Sequence, residues 1–139
     1  MVNVKFCQFV NDELLKFAVI VAKYNGKWVF CKHKDRDTYE CPGGHREQNE
    51  SILEAAKREL WEETGAMKYR LEPVCIYSVE KDMEETFGML YFAEIIEFGD
   101  LPLLEIEKIE LFDELPTEWT YPLIQPLLLE QTIKLHYAK

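Results

Sequence analysis

The segment SILEAAKRELWEETG, residues 51–65, restricts the fold more than any other part of this 139-residue chain. It carries its own start and stop. Ser51 followed three residues later by Glu54 is a capping-box pattern, in which hydroxyl and carboxylate satisfy N–H groups that a first helical turn leaves unpaired. Ala55, Ala56, Arg58, Leu60 and the glutamates are mostly strong helix formers. Gly65 stands where a C′ glycine takes left-handed backbone and ends a helix. The pattern predicts a helix over 51–64. On a wheel, Leu53, Ala56 and Leu60 form an apolar stripe, and Glu59, Glu62 and Glu63 form a second stripe about 80–90° away. One side packs while the other faces an opening. Each like-charged i,i+4 pair costs about 0.2–0.5 kcal/mol on an exposed helix. Either this acidic face is solvated or a cation sits on it, and charge spacing by itself leaves both open.

Around this helix the chain reads mainly as strands. Residues 4–10 alternate, and KFAVIVAKY (16–24) and KWVFCKHK (27–34) are β-rich. Asn25-Gly26 between the last two is the dipeptide best suited to a two-residue hairpin. TYECPGG (38–44) interrupts regular structure with Pro42, Gly43 and Gly44, and the glycine pair lets the backbone turn sharply. Residues 71–80, 86–96 and 108–115 are strand-like. YPLIQPLLLEQTIKLHY reads as a final helix with Pro126 in its first turn or at its start. Strands outnumber helices, and two long helices are available to cover a sheet. The expected class is α/β or α+β, as one domain over residues 1–139.

Composition removes several function classes. The longest apolar run, FAVIVA, has six residues and is far too short to span a bilayer. MVNVKFCQFV has no long apolar stretch of the kind a signal peptide needs, so the expected location is the cytoplasm, without a membrane partner. A net charge of −10 opposes general binding of long nucleic acid. A phosphate ligand here needs divalent cations or local basic groups, for which Lys32, Lys34, Arg36 and Arg46 are candidates. Cys7, Cys31, Cys41 and Cys75 form no C-x-x-C pair and read as buried thiols. His33, His45 and His136 build no zinc pattern.

What remains is a glycine pair, a loop and a helix with an acidic face. Carboxylates offer hard oxygen ligands suited to Mg²⁺, Mn²⁺ or Ca²⁺. A bound cation removes the repulsion among the glutamates and points to metal-assisted phosphate chemistry.

Gly44, Glu50, Arg58, Glu59, Leu60, Glu62, Glu63 and Gly65 stand at the spacing G-x5-E-x7-R-E-U-x-E-E-x-G-U, where U is a bulky aliphatic residue. This resembles the Nudix box over residues 44–66. Ala66 is smaller than the usual last residue, which removes packing volume but no chemical group. Tyr39 lies where an aromatic is common, and Asn49, which tolerates left-handed backbone, where glycine is frequent. The resemblance implies a Nudix fold, a mixed β-sheet sandwiched between helices (α/β/α).

It also implies a mechanism. Glu59, Glu62 and Glu63, with the Gly43 carbonyl, would ligate Mg²⁺ or Mn²⁺. Arg58 would orient a box glutamate, and helix spacing also puts Glu54 and Glu62 in its reach. Glu50 would be structural or would support the ligands. A further acid or base is expected from a later loop. Glu105 is the candidate, with Glu107 as local rival and Glu84 and Glu85 as others. Whether Glu59 or the loop glutamate deprotonates water stays open. Tyr39 and Arg46 are expected to bind substrate, with Tyr77, Phe87, Trp119 and Tyr121 as other stacking candidates.

Residues 86–95 and 121–130 resemble MutT-type and especially YtkD-like bacterial members. That subgroup implies cleavage of a nucleoside triphosphate, 8-oxo-dGTP included, to monophosphate and pyrophosphate by metal-activated water. Two alternatives accompany it: removal of pyrophosphate from an RNA 5′ end, and a Nudix module that senses a nucleotide without cleaving it. The chain is expected to be a monomer or homodimer.

Overall fold

In the computed structural model, which describes residues 1–7, 9–135 and 137, Asn25 and Gly26 both take left-handed backbone, with φ of 50° and 79°. This is the geometry a tight hairpin between right-twisted strands requires. It joins β2 (Leu15–Tyr24) to β3 (Lys27–His33). A second tight turn, at Asp82 and Met83, joins β6 (Ala66–Lys81) to β7 (Glu84–Phe98). Methionine is an unusual residue for φ > 0, so the sequence carries only a weak signal for that turn. β1 (Val2–Cys7) pairs with β6, and β8 (Ile106–Phe112) pairs with β3. β2 and β7 run parallel, while the other pairings are antiparallel, so the sheet is mixed.

The stretch 38–44, expected to interrupt regular structure, instead supplies β4 (Tyr39–Glu40) and part of β5 (Gly43–His45). The reason lies on one edge of β2. β3 pairs with β2 only at residues 22–24 and then diverges. β5 pairs at residues 17–19 and fills the edge that β3 leaves. Without it those β2 backbone groups would lack sheet partners. Neither Gly43 nor Gly44 has a positive φ. Their smallness serves close approach rather than the sharp turn expected from sequence. A Cβ on Gly43 would strike the Ala18 carbonyl oxygen, and one on Gly44 would lie 2.5 Å from the Glu59 carboxylate.

Strand alternation divides the core between the two faces of the sheet. Ala18, Ile20 and Ala22 of β2 join Tyr91, Ala93 and Ile95 of β7 under α1 (Ile52–Thr64). Val21, Phe30, Leu90 and Phe92 point the other way, on to Leu128 and Leu129 of α2 (Gln125–Lys134). The α/β/α sandwich is therefore present. Pro126 lies in the first turn of α2. Both caps of α1 are as expected: Ser51 and Glu54 form the capping box, and Gly65 takes φ 77°.

The apolar stripe of α1 differs from the expected one. Ala55, Ala56 and Leu60 are buried and Ile52 packs beside them, whereas Leu53 is 43% exposed. The 100° step from Ile52 carries Leu53 to the outside. The sheet accepts the 52–56–60 row and the neighbouring Ala55. Glu59 and Glu63 continue the row begun by Ala55, so they are drawn to the inner margin of the helix. All four cysteines are free thiols; Cys31 and Cys41 are buried, while Cys7 and Cys75 are half-buried. His136 lies outside the described residues. Among those described, no helix is long and apolar enough to cross a membrane.

At Gly65 a Cβ would sit 2.9 Å from the Asp100 carbonyl oxygen, in backbone that disfavours any side chain. Gly65→Ala is expected to destabilise the fold by about 1–2 kcal/mol from the left-handed conformation alone. Urea unfolding checks this, and an unchanged midpoint would contradict it.

Candidate functional site

Arg58 gathers the site. Its guanidinium donates to Glu50 from Nε at 2.7 Å and from Nη2 at 3.0 Å. From Nη1 it donates to Glu59 at 2.6 Å and Glu62 at 3.0 Å. Nη2 also reaches the His45 carbonyl of β5 at 2.9 Å. One side chain thus ties the preceding loop, its own helix and the inserted strand together. The fork on Glu50 holds that carboxyl down at about 2, against the opposing effect of burial and with help from the Glu47 N–H. The same contact raises the Arg58 pKa further, so its charge is permanent. Of the two partners that helix spacing offered, only Glu62 is used, because Glu54 is engaged in the capping box.

Glu63 sits between β3 and β5, its carbonyl oxygen 3.3 Å from the Cys31 thiol of β3. Its Oε1 accepts the Gly43 N–H at 2.9 Å. Burial pushes its carboxyl up to about 8. The Gly43 bond works against this, while the charges of Glu59, Glu40 and Glu105 add to it. Burial also raises Glu59; Arg58 counteracts, and Glu62 and Glu105 reinforce the rise. Glu40, missed in the sequence reading, is only 8% exposed, with Arg36 Nη1 3.0 Å from its carboxylate. The available signal was its place in a β-prone dipeptide just ahead of the glycine pair.

These groups line a cleft of about 450 Å³. Five carboxylates face it, from Glu40, Glu59, Glu62, Glu63 and Glu105, together with Gly43 and Gly44. His33, Arg36 and Tyr121 complete the polar wall. The five carboxylates are hard oxygen donors in excess of positive charge, and the two histidines on the wall, His33 and His45, do not converge with them into a ligand cluster, which fits a hard divalent cation better than zinc. Among the described residues no three acidic, histidine or cysteine side chains are already drawn into a ligand cluster. Glu59 and Glu62 are instead turned on to Arg58, and Glu63 on to Gly43.

The structure brings Gly43, Glu59, Glu62, Glu63 and Glu105 together around this cleft, with Arg58 bonded to Glu59 and Glu62 from outside its lining, and leaves other expected residues away from it. Tyr39 packs edge-on against Phe112 at 5.0 Å and donates its hydroxyl to Glu110 at 2.9 Å. Arg46 is spent on the Asp12 carboxylate at 2.7 Å and on the backbone oxygens of Asp12, Leu15 and Glu50. Both therefore lie in structural contacts away from the cleft. Trp119 packs edge-on against Phe30 at 5.3 Å. Glu85 accepts from Ser78 at the far hairpin, and Glu107 pairs with Lys32 at 3.0 Å.

Beside the acidic cleft lies an apolar pocket of about 280 Å³ lined by Phe17, Val19, Tyr77, Val79 and Ile124. The two share Glu40, Gly43, Gly44, His45 and Tyr121 as common wall. Gln125 lines the pocket with its oxygen already committed to the Cys41 N–H at 2.8 Å, which leaves the amide NH₂ as its free polar end.

The raised Glu63 pKa makes a signed prediction for the metal-free protein. The unfolded chain releases this proton near 4.5 and the folded chain near 8. The stabilising preference for the protonated folded state is complete below 4.5 and is lost as pH rises to about 8. In EDTA, the parent is expected to lose Tm across that window relative to Glu63→Gln, and the variant to be the more stable at pH 8. Parallel Tm curves for the two proteins would contradict this.

Comparisons with known proteins locate the chain among relatives. The family model for the NUDIX domain matches residues 14–120. YtkD of Bacillus subtilis (strain 168), provisionally named an 8-oxo-dGTP diphosphatase, is 36% identical over 102 residues, 73% of this chain and 64% of that protein. The phosphatase NudJ of Escherichia coli (strain K12) is 44% identical over 50 residues, 36% of this chain and 27% of that protein. The chain thus spans less than two thirds of the length of these curated relatives. The solved structure of a mutant of the Bacillus subtilis pyrophosphohydrolase BsRppH superposes with a TM-score of 0.83 at 27% identity, covering 99% of this chain and 93% of that one. A NUDIX hydrolase from Nitrosomonas europaea shares the fold, with a TM-score of 0.69 at 21% identity over 86% of this chain and 89% of its own.

Proposed function

Because the chain belongs to the Nudix family, we propose that it is a divalent-cation-dependent hydrolase that cleaves a nucleoside triphosphate to monophosphate and pyrophosphate. The observation that carries this reading is the shared wall between the carboxylate cleft and the apolar pocket. A triphosphate lies in the first while its base enters the second. Glu59, Glu62 and Glu63, with the Gly43 carbonyl, would hold Mg²⁺ or Mn²⁺. The bound cation supplies Lewis acidity toward phosphate oxygens and water. Arg58 keeps Glu59 and Glu62 oriented while its own charge stays fixed by Glu50. Glu105 accepts the proton of the attacking water at the cleft mouth. Arg36, engaged by Glu40 and by the Tyr121 hydroxyl, offers its remaining N–H groups to a substrate phosphate.

The base pocket is apolar with one oriented amide, Gln125, whose free NH₂ suits the acceptor edge of a 6-oxopurine. That supports a guanine nucleotide, and the likeness to YtkD supports the oxidised form, 8-oxo-dGTP, drawn from a cytoplasmic nucleotide pool. Against a long RNA stand the net charge of −10 and the lack of further basic side chains among the described residues lining the cleft.

Product release with Mg²⁺ is to be measured side by side on 8-oxo-dGTP, dGTP and a short 5′-triphosphorylated RNA. Faster release of pyrophosphate from the oxidised nucleotide is expected, with loss of turnover in Glu62→Gln and Glu63→Gln. Preference for the RNA would reassign the enzyme to 5′-end processing, and nucleotide binding without turnover would make it a sensing module. Arg36→Ala is expected to raise KM on the order of tenfold, the scale of one charge-assisted hydrogen bond. An unchanged KM would remove Arg36 from the phosphate site.

A further inference from the structure

β3 ends at His33, where its pairing with β8 slips. Lys32 stands opposite Lys108, but His33 stands opposite Ile106, so Glu107 is the extra residue of a β-bulge. A bulge re-aims the side chains on either side of it. Glu107 turns to the Lys32 ammonium at 3.0 Å. Glu105 turns to the wall of the acidic cleft, where its Oε2 lies 3.3 Å from His33 Nε2. The Lys34 N–H holds the Glu105 carbonyl at 3.0 Å.

The imidazole is itself oriented. The Asp35 N–H donates to its Nδ1 at 3.2 Å. A nitrogen that accepts that bond carries no proton, so the proton of the neutral ring resides on Nε2, which becomes the donor to Glu105. The two partners differ in freedom: the His33 side chain is 19% exposed and that of Glu105 is 80% exposed. A glutamate that exposed otherwise samples several rotamers. The more buried ring is the anchor.

We infer that His33 is a positioning residue whose Nε2–H holds the Glu105 carboxylate over the acidic cleft, so that Glu105 meets the attacking water in one orientation. The inference rests on the proposed role of Glu105 as proton acceptor. The bulge and the Asp35 contact together convert an exposed glutamate into a directed one.

The test is a double-mutant cycle on the Mg²⁺-loaded enzyme with its best nucleotide substrate, supported by NMR of the metal-free protein. Glu105→Gln is expected to lower kcat by about 10²-fold, the lower range for a general base. His33→Ala is expected to lower kcat on the order of tenfold with KM nearly unchanged, because it misplaces the base without removing it. In the Glu105→Gln background His33→Ala is expected to add nothing. His33→Gln, whose amide N–H reaches the position of Nε2, restores most of the loss. His33→Asn, whose amide is shorter, does not. The ring nitrogens of His33 in metal-free protein are expected to report the Nε2-protonated tautomer, with a shift of that signal in Glu105→Gln.

Full activity of Glu105→Gln would overturn the reading of Glu105 and the inference with it. Impaired Glu105→Gln combined with an independent effect of His33→Ala would overturn the inference alone. A raised KM in His33→Ala that persists in the double variant would show that the ring touches substrate instead. A Tm for His33→Gln equal to that of the parent, without recovery of kcat, would likewise count against it.

Discussion

The Arg58 guanidinium makes hydrogen bonds to Glu50 in the loop before α1, to Glu59 and Glu62 on α1 and to the His45 carbonyl on β5. Three separate pieces of chain are registered by one planar group whose charge cannot be titrated away. Removing one partner of a partly buried network of this kind leaves charges unpaired and typically costs about 1.5–3 kcal/mol, the scale of hydrogen bonds to charged groups. The helix, the loop and the inserted strand are therefore mutually dependent. A change in any one disturbs the placement of Glu50, Glu59 and Glu62 against the His45 carbonyl.

That network needs β5 to lie close against both β2 and α1, and the sheet makes the space. β3 and β5 share one edge of β2. Where β3 diverges, a cleft opens between the strands, and Glu63 and Glu40 line it. Gly43 and Gly44 complete the arrangement by absence of side chain: one gives way to a β2 carbonyl and the other to the Glu59 carboxylate. The acidic face of α1 is consequently not a solvated surface. Its repulsion is met partly by Arg58, while Glu63 is raised chiefly by burial, with the charges of Glu59, Glu40 and Glu105 adding to the rise.

A fold that holds five carboxylates around one cleft gives up stability to do so, the usual relation between a prepared site and a relaxed one. The structure limits that loss by dividing labour. Glu50 is fully neutralised by Arg58 and stays ionised far below neutral pH. Glu63 is held toward its protonated form by burial. Two carboxylates near opposite ends of α1 thus have pKa values driven in opposite directions by their surroundings.

Much of this was legible along the chain. The capping box, the Gly65 terminator, the Asn25-Gly26 hairpin and the spacing from Gly44 to Gly65 are local patterns, each dependent on residues within a few turns of one another. They determined a helix of known limits and its three glutamates. Which face of that helix is buried was not local: a difference of one residue, Ile52 in place of Leu53, was decided by the sheet it meets. The same holds for Tyr39 and Arg46, whose residue types suit substrate but whose partners, Glu110 and Asp12, lie 71 and 34 residues away. Glu40 became a site residue only through the divergence of β3 from β2. Glu105 was separated from Glu107 only by a bulge in a long-range strand pairing. The sequence by itself determined the donor chemistry, because that resides in side-chain types at helical spacing. Tertiary structure alone decided which donors converge, because convergence depends on strand register, burial and competing partners from distant parts of the chain.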